Sequence, residues 1–156
     1  MDHPEKMRIG ELLVQQKLIT REQLTLALKQ QTQSPLKLGR ILVNNAFVTE
    51  EDISKTLATQ LNIPFVNLRN FTIKSKLIRL ITENQSRRFQ AIVLEKRENS
   101  FLVGMVDPTD HKIVEELKRI LNVAIDVAVV TEGQCLEGID SGYWRTGEKT
   151  GTYLRS

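Results

Sequence analysis

The sequence has few of the residues that build covalent or metal-bound centres. It contains one cysteine, Cys135, and two histidines, His3 and His111. A single cysteine excludes a disulfide within the chain and favours a reducing compartment. One thiol and two distant imidazoles are better explained as a small buried side chain and two surface rings than as a catalytic or metal site. We therefore expect no catalytic centre and no metal.

Long apolar segments and a strong charge of either sign are also missing. No apolar run approaches the roughly 20 residues that a membrane-spanning helix needs, and the polar first ten residues do not resemble a signal peptide. The net charge of +3 is too small to indicate a nucleic-acid polymer as partner. With 40% apolar and 26% charged residues, the chain has the composition of a soluble globular protein. We expect a cytoplasmic protein without membrane insertion.

An ATP-binding loop is not recognisable in the chain. The phosphate-binding pattern Gly-x-x-x-x-Gly-Lys-Ser/Thr does not occur, and residues 147–151, Gly-Glu-Lys-Thr-Gly, lack its spacing. The sequence therefore predicts no enzymatic activity for this chain.

Residues 1–61 carry apolar residues at helical spacing. This pattern predicts four short helices, at about 8–16, 21–31, 37–45 and 50–60. Thr20 opens one helix with a capping box that ends at Gln23, and Thr49 with Asp52 is its near equivalent. Pro35 separates the second and third helices. The expected subdomain consists of two helical hairpins.

Residues 62–144 have a mixed pattern that predicts a small α+β subdomain. We expect an extended stretch at 65–68, helices at 75–82 and 83–88, a β-hairpin at 91–95 and 101–106, a helix at 110–121, a strand at 124–130 and a helix at 132–143. The predicted fold class is therefore α+β, with the four-helix subdomain packed on the α+β one. Residues 145–156 have no apolar period and are expected to be a linker to a domain absent from this chain.

The two hairpins are copies of one 24-residue motif, residues 8–31 and 37–60. A shift of 29 positions aligns them with seven identical pairs. Most matches fall at apolar or capping positions, as stacked helical hairpins require. Three pairs do not: Arg8/Lys37, Gly10/Gly39 and Gln31/Gln60.

Each of these three pairs suits a ligand. A cation at a helix start can hold a phosphate or lie on a purine ring. A glycine in a first helical turn costs roughly 1 kcal/mol against alanine, and this cost indicates a close approach to the backbone. A terminal glutamine offers one acceptor and two donors. Two similar half-sites fit a ligand with two similar halves.

The double motif resembles the MshEN family, the N-terminal domains of type II secretion and type IV pilus assembly ATPases. The first copy has Arg8-Ile9-Gly10, Leu13-Val14, Leu18-Ile19, Leu24, Leu28 and Gln31, and the second has Lys37-Leu38-Gly39, Leu42-Val43, Phe47-Val48, Ile53, Leu57 and Gln60. As in the family, five residues separate the copies. The stretch from Phe101 to Pro108 also resembles the family's strand and Asp-Pro turn. The resemblance covers about residues 7–143.

The resemblance implies one cyclic di-GMP per chain, extended across both motifs. Arg8 and Lys37 would meet guanine or phosphate, and Gly10 and Gly39 would allow backbone approach. The expected apolar contacts to ribose and base are Ile9, Leu24, Leu28, Leu38, Ile53 and Leu57, and the expected amide contacts are Gln31 and Gln60. Asp107 and Arg88 would be added by the second subdomain, with Arg87 as an equal alternative to Arg88.

The sequence departs from the family pattern at three positions. The mid-motif glycine is Lys17 in the first copy and Ala46 in the second, so we expect altered turns there. The leading arginine becomes Lys37 in the second copy, so we expect unequal half-sites.

The resemblance also implies partners. These are a C-terminal ATPase domain of the same full-length chain, working as a hexameric motor, and proteins of the inner-membrane platform, which would place the protein beside that membrane. The alternative function is a docking module that attaches the motor to the platform without a nucleotide.

Overall fold

The computed structural model describes residues 8–144, with side chains as far as Tyr143. The chain divides into two compact units, Met1–Ile63 and Pro64–Ser156. The combination of helices with a small three-stranded sheet confirms the α+β class. The predicted linker, residues 145–156, lies outside the described part of the chain, as does His3.

Unit 1 consists of four helices at the predicted positions. Their bounds are α1 Ile9–Gln15, α2 Arg21–Gln31, α3 Leu38–Asn44 and α4 Glu50–Leu61. Thr20 caps α2 with the predicted capping box, in which its hydroxyl accepts from the Gln23 N–H at 3.0 Å. The hydroxyl of Thr49 accepts from the Asp52 N–H at the start of α4. The buried core comprises Leu13, Ile19, Leu24, Ala27, Ile41, Leu42 and Val48.

Unit 2 is built on a three-stranded sheet in the order β1-β2-β3. The strands are β1 Ala91–Lys96, β2 Ser100–Met105 and β3 Ala124–Val129. β1 and β2 form the predicted antiparallel hairpin, with an irregularity between Val93 and Glu95, and β2 and β3 run parallel. The helices of this unit are α5 Ser75–Ile78, α6 Glu83–Phe89, α7 His111–Leu121 and α8 Glu132–Trp144.

Both faces of this sheet are buried. Ile92 and Leu94 of β1 pack with Cys135 and Ile139 of α8, and the alternating residues of the same strand pack with Leu117 of α7. This alternation follows the two-residue period of a strand. The predicted apolar face of α7 is confirmed, since Leu117 is buried and Ile113, Ile120 and Leu121 pack around it.

Two sequence predictions are wrong at the start of unit 2. The expected strand over 65–68 is reduced to one parallel bridge between Phe65 and Val129. Asn67 then accepts from the Arg69 N–H and begins a 3₁₀ turn at Leu68–Asn70, which turns the chain away from the sheet. The helix expected over 75–82 ends at Ile78, because Thr82 caps α6 instead.

Candidate functional site

The two motif copies have the same main-chain conformation at matching positions. Arg8 and Lys37 are the N-cap residues of α1 and α3, with φ/ψ of −65°/147° and −72°/154°. Thr20 and Thr49 cap the second helices at −94°/164° and −95°/161°. The sequence repeat is therefore a repeat of backbone geometry within unit 1.

The turns inside the two motifs are also the same, although neither contains the family's glycine. Lys17 and Ala46 have left-handed φ angles of 65° and 63°. The Lys17 N–H donates to the Val14 carbonyl at 2.9 Å and the Leu18 N–H to the Leu13 carbonyl at 2.9 Å. This is the Schellman ending of a helix, whose left-handed position favours glycine. These hydrogen bonds hold lysine and alanine in a conformation that costs each roughly 1–2 kcal/mol. Whether the turns differ from those of family members that have the glycine stays a prediction.

Arg8 and Lys37 occupy the position predicted for anion-binding side chains. Both are exposed, and neither side chain caps its own helix. Arg8 forms no ion pair with another residue of the described range 8–144. Each helix has only seven residues, so few peptide dipoles add up behind the cation. The charge available at these two positions is therefore that of the side chains themselves.

The two motif glycines have different surroundings. Gly10 is buried, and a methyl group added there would lie 2.7 Å from Leu24 Cδ1 and 3.1 Å from Leu38 Cδ2. The sequence predicted that another group lies close to the backbone at this glycine, and at Gly10 that group is the side chains of the core. Gly39 has more room, since an added methyl group would lie 3.6 Å from the nearest atom, Ile53 Cγ2.

The predicted apolar contacts fall into two groups. Leu24 is buried, and Ile9, Leu38 and Ile53 pack against the core of unit 1, so these four shape the protein interior. Leu28 is 44% exposed and Leu57 is half-buried. Matching positions in α2 and α4 thus keep apolar surface that a ligand could contact.

The two terminal glutamines are half-buried. The side-chain amide of Gln31 donates to the Leu36 carbonyl at 3.3 Å, across the spacer between the motifs. Gln31 therefore holds the spacer in addition to any contact with a ligand.

One ion pair joins the two helices within each motif, and the sequence analysis did not predict either of them. Arg21 binds Glu11 at 2.9 Å and Arg40 binds Glu50 at 3.0 Å. These are the same two motif positions with the charges reversed. The hydrogen bond from Arg21, followed by its charge, lowers the pKa of Glu11. The signal was present in the sequence, because both positions change sign together between the copies.

In unit 2 the structure distinguishes the two candidate arginines. Arg87 donates to Glu83 at 2.8 Å and to Asp140 at 2.6 Å, and these bonds, that to Asp140 foremost, raise its pKa. Arg88 is exposed, lies 4.8 Å from the Phe89 ring centroid, and has no ion pair among the described residues. Of these two neighbouring arginines, Arg88 is therefore the one whose charge is not already bound by a carboxylate.

Asp107, the other candidate of unit 2, is half-buried in the turn after β2. Its carboxylate accepts from the Thr109 N–H at 3.1 Å and from the Thr109 hydroxyl at 2.5 Å. The turn fixes the direction of this carboxylate.

Residues 8–144 contain neither a cluster of side chains suited to a metal ion nor a helix that could span a membrane. This part of the chain has no group of three or more His, Cys, Asp and Glu side chains that could hold a metal, and none of its helices is long and apolar enough to cross a membrane. His111 is exposed and Cys135 is buried.

The duplicated hairpins and the helix-covered sheet define a two-unit α+β domain with a repeated helical motif. The MshEN domain family matches residues 61–145, more than half of the chain. The chain belongs to the MshEN domain family.

One similar protein is a pilus assembly ATPase. The type IV pilus assembly ATPase PilB of Myxococcus xanthus (strain DK1622) is 28% identical over 140 residues, which cover 90% of this chain and 25% of PilB. The chain thus spans about a quarter of the length of this relative.

Two solved structures share the fold. The structure of MshE with cdg (cyclic di-GMP) is 28% identical, with a TM-score of 0.77 over 88% of this chain and 100% of that one. The N-terminal domain of XpsE has a TM-score of 0.72 over 90% of this chain and 96% of its own, at 17% identity.

Proposed function

We propose that this chain is a cyclic di-GMP-binding regulatory domain of a type IV pilus or type II secretion assembly ATPase. One observation carries the proposal: the repeated backbone and cation of unit 1 occur in a chain that is 28% identical to a structure of MshE with cdg and covers all of it. Cyclic di-GMP has two guanines and two phosphates related by two-fold symmetry. A duplicated motif provides one equivalent set of groups for each half.

The cations supply the charge in this proposal. The guanidinium of Arg8 and the ammonium of Lys37 bind a phosphate or cover a guanine, one in each half-site. Both side chains are exposed at the start of a helix, so binding does not require either unit 1 helix to unfold.

The apolar surface beside the cations contacts the bases and riboses. Leu28 and Leu57, at matching positions, make these contacts directly, while the buried Leu24 and the packed Ile53 support them from below. Gln31 and Gln60 close the half-sites with amide hydrogen bonds. The roomier Gly39 lets ligand approach the backbone of α3 more closely than Gly10 does at α1.

Unit 2 contributes Asp107 and Arg88. A carboxylate can accept both N1–H and N2–H of a guanine, and the Asp107 turn holds its carboxylate in a fixed direction. Arg88 stacks on a base or neutralises a phosphate, whereas Arg87 is already held by two carboxylates.

Nucleotide binding favours the conformation of the domain that binds the nucleotide over its other conformations. This population shift is the regulatory signal that we propose for a motor located elsewhere in the full-length protein. ATP hydrolysis then belongs to that motor, and platform proteins of the inner membrane are its further partners.

The test is calorimetry with cyclic di-GMP on the purified chain, with an Arg8→Ala variant. A charge-assisted hydrogen bond contributes about 1.5–3 kcal/mol, so Arg8→Ala should weaken binding roughly 10- to 100-fold. Lys29→Ala, which removes an exposed cation of α2 outside the proposed site, is the control and should bind like the original chain.

Two outcomes would contradict the proposal. If the chain does not bind at micromolar ligand, the alternative of a nucleotide-independent docking module takes its place. If Arg8→Ala and Lys29→Ala bind equally well, Arg8 is not part of the site.

A further inference from the structure

The cations of unit 2 are concentrated in one stretch of the chain. Residues 64–82 contain four basic residues and no carboxylate, in a chain whose net charge is +3. The four are Arg69, Lys74, Lys76 and Arg79. All four side chains are exposed, and none forms an ion pair with a carboxylate in the described part of the chain. Arg87, Arg97 and Arg119 of the same unit, by contrast, each bind a carboxylate.

The stretch that carries them lies along helix α8. Near the start of α8, the Leu68 N–H donates to the Gln134 side-chain oxygen at 2.8 Å. Further along, a methyl group added at Gly142 would meet Ile78 Cδ1 at 2.5 Å and Ile73 Cγ2 at 3.5 Å. At the far end, the Tyr143 hydroxyl lies 2.8 Å from the Ile78 carbonyl. Residues 68–81 are named the basic segment.

Apolar side chains of the basic segment point inward and its cations point outward. Leu68 and Ile78 are buried in the core beneath the sheet, and Phe71 and Ile73 pack against that core. The four cations occupy the exposed positions between them, and Leu80, beside Arg79, is 43% exposed. The basic segment thus presents its cations to solvent while its apolar side chains anchor it to the core and to α8.

Carboxylates of neighbouring elements leave this charge largely uncompensated. Glu83 of α6 and Asp140 of α8 are both bound to Arg87. Glu137 of α8 is exposed, and Glu132 at the start of α8 is half-buried and close to Gln90, whose amide donates to it. A surface of this sign and density attracts a polyanion.

We propose that the basic segment binds the surface of an anionic lipid bilayer. The charge is spread along the basic segment, without an exposed aromatic platform for single-stranded nucleic acid and without a long helix for a DNA groove. A delocalised layer of lipid phosphates matches this layout, and each lysine or arginine near such a surface contributes about 1 kcal/mol. The contact is peripheral and independent of the nucleotide site.

Sedimentation with lipid vesicles tests this binding. The full chain is mixed with vesicles of phosphatidylcholine alone, or of equal parts phosphatidylcholine and phosphatidylglycerol, at low and at physiological salt. It should sediment with the anionic vesicles only, and less so as salt rises. Replacing three cations (Lys74→Gln, Lys76→Gln, Arg79→Gln) should reduce partitioning on the order of a hundredfold.

The matched control removes three cations elsewhere (Lys29→Gln, Lys112→Gln, Lys118→Gln) and therefore has the same net charge. It should retain binding to within about threefold. Equal losses in the two variants would show that net charge alone is responsible and would overturn the proposal. The proposal would also be overturned if the original chain did not sediment with anionic vesicles. If that chain instead bound polyglutamate in a salt-sensitive way, the partner of the basic segment would be an acidic protein. Circular dichroism checks that both variants are folded, and because no nucleotide is present the result does not depend on cyclic di-GMP.

Discussion

Lysine at position 37 keeps the charge of its counterpart Arg8 but not its planar, forked shape. An ammonium cannot make the paired hydrogen bonds that a guanidinium makes with phosphate or a guanine edge. Lys37→Arg should therefore tighten cyclic di-GMP binding by about one hydrogen bond, roughly 1 kcal/mol or fivefold in Kd. Arg8→Lys, by the same reasoning, should bind cyclic di-GMP more weakly than the original chain. Calorimetry on the two variants measures how much the guanidinium contributes to affinity in each half-site. Equal affinity in all three proteins would show that the two cations do not contact the ligand.

Cys135 shows how burial changes the chemistry of one side chain. Burial, and secondly the charge of Glu132, raises the pKa of its thiol from an ordinary 9.0 to about 12. The folded protein should resist thiol reagents at pH 8, whereas the denatured chain should react at one site, as absorbance with Ellman's reagent would show. Rapid modification of the folded protein would contradict the assignment.

The same pKa shift has a defined effect on stability. Because the folded state disfavours the thiolate, this contribution to stability is complete below pH 9.0 and is lost as pH rises towards about 12. A Cys135→Ala variant should lack this part of the alkaline loss, which thermal unfolding at several pH values would measure.

Gly10 illustrates what a sequence can and cannot reveal at this scale. The repeated glycine predicted a close approach to the backbone. Only the packing of Leu24 and Leu38 shows that core side chains make this approach at Gly10, while Gly39 has more room. Arg87 and Arg88 were likewise indistinguishable, because the partner Asp140 is distant in sequence.

At the scale of helices and turns, the sequence located unit 1 well because its signals are local. Apolar period, threonine caps and Pro35 predicted four helices, and the structure has each of them. The start of unit 2 was predicted less well. The side-chain cap at Asn67 and the capping box at Thr82 end elements that propensity alone would extend.

Glycine in the left-handed position of each Schellman turn should make the fold more stable. Lys17 and Ala46 adopt left-handed φ angles, so Lys17→Gly and Ala46→Gly should each stabilise folding by roughly 0.5–1 kcal/mol after the entropy cost of glycine in the unfolded chain. Denaturant unfolding measures the change. Gln15→Gly, at the last residue of α1, should instead destabilise by up to about 1 kcal/mol. Destabilisation by all three would contradict the role given to these turns.

For the whole molecule, our proposal includes Arg88 and Asp107 of unit 2 among the residues that contact the nucleotide. Arg88→Ala should then weaken cyclic di-GMP binding about tenfold without changing the melting temperature. Arg87→Ala should leave affinity unchanged and cost under about 1 kcal/mol of stability, since its ion pairs are partly exposed. Calorimetry and thermal unfolding of both variants distinguish a ligand-binding role for Arg88 from a structural role for Arg87. Unchanged affinity in Arg88→Ala would show that Arg88 is not part of the site.

The family and its fold were predicted from the duplicated 24-residue pattern at residues 8–60, and the match that confirms the family lies at residues 61–145, after that pattern. The identity of the ligand could not be obtained from charge and spacing, since phosphate, guanine and a protein carboxylate all accept the same hydrogen bonds from arginine. It required comparison with a relative.

The reversed ion pairs have a consequence for how a duplicated chain folds. Two hairpins with the same backbone geometry invite exchange, in which α1 would take the hairpin position of α3 before α4, and α3 that of α1 before α2. Because α1 already contacts α4 and α2 already contacts α3, such an exchange would change which positions of these helices face each other. Such exchange would bring Glu11 to Glu50 and Arg40 to Arg21, so attraction would become repulsion at both contacts. The opposite polarity of the two ion pairs thus favours the pairing of each helix with the other helix of its own motif. Two motif copies with identical charges would not have this preference.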